Sequence, residues 1–194
     1  MRYTGWIALF IFMFSFKPFP GERKKIVVSF FTPKDSNDTS KSLRSEISVS
    51  SIETGATNRD EFTRFAKSLI GSPYKYASQD PVTGFDCSGF INYVANHFQI
   101  KVPRSSVQFT NLGKEINKEE ALSGDLILFT GTNPYSHVVG HIGIVTENIN
   151  GKLNFIHSSS GKEKGVVINE LVDYYQKRFI KIIRIFPDVW ISDE

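Results

Sequence analysis

The sequence predicts an α+β domain in which helices come first and then pack on an antiparallel sheet. Three observations carry this. Apolar residues recur at helical spacing between Asn58 and Phe98, and short Ile-, Val- and Phe-rich runs follow from Asp125 onward. The links between those runs are short and carry Gly and Asn, which suits antiparallel neighbours rather than crossovers.

Taken in order, Met1-Arg2 followed by the apolar run Trp6–Phe16 has the basic start and short hydrophobic stretch of a secretory signal, so residues 1–21 read as a leader and the protein as exported. The run is too short to span a bilayer, which takes roughly 17–25 residues, so any membrane contact is expected only through an uncleaved leader. Residues 22–57 are rich in Ser, Thr, Asn, Asp and Lys and read as a polar linker, too short for a companion wall-binding domain. The domain is expected over 58–187, with 188–194 as a tail.

Asn58 with Glu61 forms an Asn-led capping pattern, followed by Phe62, Phe65, Ala66, Leu69 and Ile70 at helical spacing and then by Gly71 and Pro73, which stop the helix. Asp86 caps a second helix that buries Phe90, Ile91, Val94, Ala95 and Phe98 and turns Asn92, Asn96 and His97 to solvent. A short helix is expected from Ser105 or Ser106. Strands are expected at Asp125–Thr130, His141–Thr146, Lys152–His157, Val166–Ile168 and Phe179–Phe186, with Gly131–Gly140 and Glu147–Gly151 as loops.

A net charge of +3, with the basic residues scattered, excludes a nucleic-acid footprint. The single cysteine, Cys87, excludes an intrachain disulfide and lies too far downstream of the leader to be its lipid attachment point. Its place in the first turn of the second helix gives its thiolate unpaired N–H groups and a partial positive charge. Slim Ser88 and Gly89 are expected to let a substrate carbonyl approach, with Phe85 and Phe90 as walls.

A thiol nucleophile needs a base and a group that holds the base. His141 opens one strand and His157 closes the next. With Glu147–Gly151 as the loop, His141 would face His157, and opposite side chains in an antiparallel pair stand roughly 4.5–5.5 Å apart at Cβ. Gly143 would leave room beside the ring for the helix N-terminus. His97 and His137 read as solvated rings. Cys87, His141 and His157 could also hold Zn²⁺ with a water, but no carboxylate or second sulfur completes a closed site, so neither metal nor cofactor is expected.

From about Asn58 to Phe186 the chain resembles the NlpC family of cell-wall cysteine peptidases. The resemblance rests on Gly71-Ser72-Pro73-Tyr74, Gly84-Phe85-Asp86-Cys87-Ser88-Gly89-Phe90, Val102-Pro103-Arg104-Ser105-Ser106, Leu122-Ser123-Gly124-Asp125-Leu126, His141-Ile142-Gly143-Ile144-Val145 and Phe155-Ile156-His157. It implies a papain-related fold and metal-free hydrolysis of peptidoglycan stem peptides, usually between γ-D-glutamate and a diamino acid. It also implies Cys87 as nucleophile, His141 as base, His157 as third member, Tyr74 near the oxyanion, and Asp86 with Ser88 at the free amine of the stem. An N-acetylmuramoyl-L-alanine amidase, an acyltransferase using the same thioester, and an inactive wall-binding module are the competing readings. Tyr76-Ala77-Ser78 departs from the family's common Trp-Gly-Gly, and loops 130–140 and 147–151 look long enough to narrow or cover the groove.

Overall fold

The computed structural model describes residues 51–187. The leader, most of the linker and the tail expected at 1–21, 22–57 and 188–194 lie outside or largely outside that range. The folded unit begins earlier than Asn58, because Ile52 is buried in the core and Thr57 N–H closes a turn onto the Thr54 carbonyl.

Helix α1 covers Arg59–Ser68, and Asn58 Oδ1 accepts from Asp60 N at 2.7 Å, a cap worth about 1 kcal/mol. Phe62 and Ala66 point inward one turn apart. A small hairpin, β1 (Gln79–Asp80) and β2 (Gly84–Phe85), then leads into α2 (Cys87–His97). The sequence reading missed this hairpin; Asp80 organises its tip by accepting from Val82 N and the Thr83 hydroxyl, both at 2.9 Å. A 3-10 turn at Ser106–Phe109 follows, capped by Ser105 and Gln108.

The six-stranded antiparallel sheet runs β3-β8-β4-β5-β6-β7, with β3 Lys114–Ile116, β4 Leu126–Thr130, β5 Val139–Ile149, β6 Lys152–Ser159, β7 Gly165–Glu170 and β8 Phe179–Arg184. Every residue of β4 is buried, as its unbroken apolar run requires of a strand covered on both faces. On one face α1 and α2 pack Phe62, Phe90, Ile91 and Val94 against Leu126, Leu128, Ile142, Ile144 and Ile156. The other face carries Ile127, Phe129, Val145, Phe155 and Ile182, covered by Tyr175 of α3 (Asp173–Arg178) and by Phe179.

The β5–β6 hairpin differs from expectation in two ways. Its turn is only Asn150-Gly151, with φ of +52° and +78°, the left-handed pair of a tight two-residue turn, so 147–149 belong to β5. An irregularity at Thr146 then moves the register by one residue between Glu147↔Asn154 and Val145↔Phe155. In an unbulged hairpin with this turn, His157 would face Ile144, and His141 would project from the opposite side. The one-residue shift brings Gly143 level with His157 and returns both imidazoles to one face.

Ala77 holds φ +57°, a left-handed conformation that costs an L-residue about 1–2 kcal/mol. Ala77→Gly is therefore expected to raise stability by about 0.5–1 kcal/mol after the added freedom of the unfolded chain, read as a rise in the urea midpoint at constant m.

Candidate functional site

Cys87 is the first residue of α2, and the cap that starts the helix is Asp86, whose Oδ1 accepts from Gly89 N at 2.6 Å. Gly89 is required by packing: a Cβ there would lie 2.0 Å from the Ser78 carbonyl oxygen, so the Ser78 backbone, and not a substrate, takes the space beside Gly89. Phe85 and Phe90 do not wall the site, since both are fully buried and meet edge to face at 6.0 Å. Asn92 is also buried, donating to the Ser88 and Pro103 carbonyls at 3.0 and 2.7 Å.

The thiol is partly buried, and α2 packs across β5. Burial pushes the Cys87 thiol up, and the Asp86 charge adds to this, while backbone N–H groups of Ser88, Ile142 and Cys87 itself pull it back. The Ile142 contact fixes the geometry, because it sets the sulfur beside the residue that follows His141 on β5.

His141 and His157 are joined directly, Nε2 to Nδ1 at 2.8 Å, with ring planes 88° apart. They share the sheet face opposite to α2, where His141 lies 5.8 Å from Phe129 and His157 lies 5.0 Å from Phe155. The open side of Gly143 therefore admits β6 and not the helix: a Cβ there would lie 2.9 Å from the Phe155 ring and 3.2 Å from the His157 Cβ. The helix end meets β5 at the backbone N–H of Ile142, past the Ile144↔Ile156 pair that ends the β5–β6 register, so the sulfur lies at an opened strand edge next to His141 and not behind a closed sheet. Burial lowers His141 well below the ordinary imidazole value and takes His157 to about 4, so both rings rest neutral.

Three residues that the sequence reading missed support this pair. Asn169 Oδ1 lies 2.8 Å from His157 Nε2, and the Tyr175 hydroxyl lies 3.3 Å from the same nitrogen. Arg178 is buried, donates to the Thr130 carbonyl at 2.9 Å and to the Tyr174 hydroxyl at 2.6 Å, and its charge adds to the depression of both histidines. Tyr175 and Arg178 come from α3, which has no side-chain cap and only six residues, and so gives little sequence signal.

Asp86 and Ser88 are both buried and already engaged. Arg104 donates Nη2 to Asp86 Oδ2 at 2.7 Å, Nη1 to Asp86 Oδ1 at 3.1 Å, and Nη1 to Ser88 Oγ at 3.0 Å. Tyr74 is half-buried beside them, its phenol pushed up by burial and by the Cys87 and Asp86 charges. His97 and His137 are exposed, as expected, although His97 stacks on Phe65 at 3.7 Å. Among the described residues no cluster of His, Cys, Asp and Glu is arranged to hold a metal.

Residues 71–184 match the model of the NlpC/P60 family. The chain belongs to the NlpC/P60 family. It is 35% identical over 121 residues to the probable endopeptidase NlpC of Escherichia coli K12, an alignment covering 61% of this chain and 73% of that one. It is 32% identical over 130 residues to a gamma-DL-glutamyl hydrolase of Bacillus subtilis, covering 66% of this chain but only 30% of the longer relative. An NlpC/P60 family protein from Bacillus cereus superposes with a TM-score of 0.60 at 29% identity, covering 70% of this chain and 42% of that one. The α+β architecture of NlpC/P60 members is thus the papain-like one expected from the sequence, and the family's endopeptidases act on peptidoglycan.

Proposed function

We propose that this NlpC/P60 chain is a cysteine peptidase that hydrolyses the γ-D-glutamyl–diamino acid bond of peptidoglycan stem peptides. The observation that carries the proposal is a hydrogen-bonded pair of neutral imidazoles, of which His141 directly precedes on β5 the residue whose backbone N–H meets the Cys87 sulfur. His141 takes the Cys87 proton, and the thiolate attacks the stem-peptide carbonyl carbon, giving a tetrahedral oxyanion. Backbone N–H groups at the start of α2, with Tyr74 beside them, stabilise that charge. On collapse the C–N bond breaks, His141 returns the proton to the leaving amine, and a thioester remains. Water, deprotonated by His141, then releases the acid and regenerates the thiol. His157 orients His141 throughout.

Asp86 and Ser88 receive the stem's free amine on this reading, and because Arg104 already holds both, the amine shares the carboxylate with the guanidinium. No metal or cofactor enters the scheme. The leader at 1–21 supports an exported enzyme that works in the cell envelope. Mass spectrometry of the products from defined muropeptides tests the bond: the expected fragments end in γ-D-glutamate and begin with the diamino acid. Release of L-alanine from muramic acid, or transfer without hydrolysis, would replace this reading with the amidase or the acyltransferase.

A further inference from the structure

A base in this site is useful only if its lone pair is on the right nitrogen, and neutral imidazole has two tautomers. His141 Nε2 is committed to His157, which leaves Nδ1 as the only nitrogen that can receive the Cys87 proton. One of the two nitrogens in the Nε2···Nδ1 contact must donate, and nothing within the pair decides which.

The decision lies two strands away. The side chains of His141 on β5, His157 on β6 and Asn169 on β7 form a diagonal across one sheet face, since Phe155 faces Asn169 and His157 faces Val167. The Asn169 amide oxygen can only accept, so His157 Nε2 must carry its proton and donate it across 2.8 Å. A neutral His157 protonated at Nε2 has a lone pair at Nδ1, so His141 Nε2 must donate, and the lone pair of His141 falls at Nδ1. Were the polarity reversed, the Nδ1 position of His141 would carry a proton and the base would be unable to accept one. The Tyr175 hydroxyl and the Arg178 guanidinium complete the surroundings of the pair, and Arg178 disfavours a second proton on either ring.

We infer that Asn169 is a positioning residue that acts through His157 to hold His141 in its Nε2-protonated tautomer, with Nδ1 free to take the thiol proton. The catalytic consequence rests on the proposed peptidase mechanism; the proton pattern does not. Long-range ¹H–¹⁵N correlation spectra of the labelled wild-type protein, recorded at mildly alkaline pH, should show both His141 and His157 protonated at Nε2 alone. Asn169→Asp keeps an acceptor and should keep that pattern. Asn169→Leu removes it and should yield mixed tautomers in both rings, with kcat reduced about 10- to 100-fold and KM little changed. A wild-type His157 protonated at Nδ1, or an Asn169→Leu protein with both rings still purely Nε2-protonated, overturns the inference. If the spectra come out as expected in a protein that cleaves no muropeptide, it is the peptidase reading that fails.

Discussion

Cys87→Ser is expected to lower kcat/KM on muropeptides by about 10⁴-fold or more while leaving the fold intact, because it replaces the proposed nucleophile and touches little else. Serine is nearly isosteric, and the site at the start of α2 is only partly buried, so the helix cap on Asp86 and the core behind it are retained. The same site predicts a broad pH profile. His141 must be neutral to act as base, and its pKa lies well below the ordinary imidazole value, so the acid limb of kcat/KM should fall well on the acid side of 6.5. The thiol is raised, so the alkaline limb should lie above the ordinary thiol value. Folding follows the same sign. A depressed histidine pKa contributes stability above 6.5 that is lost as the pH falls toward the folded value, about 4 for His157. Serine activity within tenfold of the wild type, or an acid limb at or above 6.5, would remove Cys87 and His141 from these roles.

Much of this site is legible in the sequence because its parts are local. Asn58 and Asp86 announce their helices by capping chemistry, and a thiol one residue past Asp86 necessarily lies in the first turn. The buried strands appear as apolar runs because both faces of the sheet are covered. The sequence puts both histidines on one face through two departures that cancel: 147–151 reads as a five-residue loop where Asn150-Gly151 makes a two-residue turn, and the irregularity at Thr146 restores the shared face. Asn-Gly is the sequence signal that should have shortened the loop. The bulge has no such signal, since it depends on how two strands pack and not on any one residue.

What the sequence did not disclose is mostly contact between distant elements. Arg104 reaches Asp86 across 18 positions, Asn169 reaches His157 only if β6 and β7 take their observed register, and Arg178 depends on a short helix that lacks a cap. These residues share a physical character. Each is polar, each acts on a group that local reasoning had already found, and each is placed by tertiary packing. The motif at the helix start thus marks the proposed nucleophile, and the register of the sheet brings the histidine pair to its partner Asn169.

Asp125→Ala is expected to cost about 3–5 kcal/mol, a large part of the roughly 5–15 kcal/mol that holds a domain folded. Asp125 is fully buried at the start of β4, where its carboxylate takes Arg184 Nε at 3.1 Å and Nη2 at 3.0 Å and also accepts from Leu122 N at 2.8 Å. Burial pushes the carboxyl up more strongly than Arg184 pulls it down, so the pair as a whole adds little over apolar packing. The cost arises when one member is removed, because a largely buried guanidinium then loses two charge-assisted hydrogen bonds and the Leu122 N–H loses its acceptor. The effect should reach the site, since β4 sets the position of His141 through Phe129↔His141 and Asp125 anchors the opposite end of that strand. Replacing both partners, as Asp125→Leu with Arg184→Met, should therefore recover most of the lost stability, with the urea midpoint returning toward that of the wild type. If Asp125→Ala costs less than about 1 kcal/mol, or if the double variant is no more stable than the single one, the Asp125–Arg184 pair is not what makes this position sensitive.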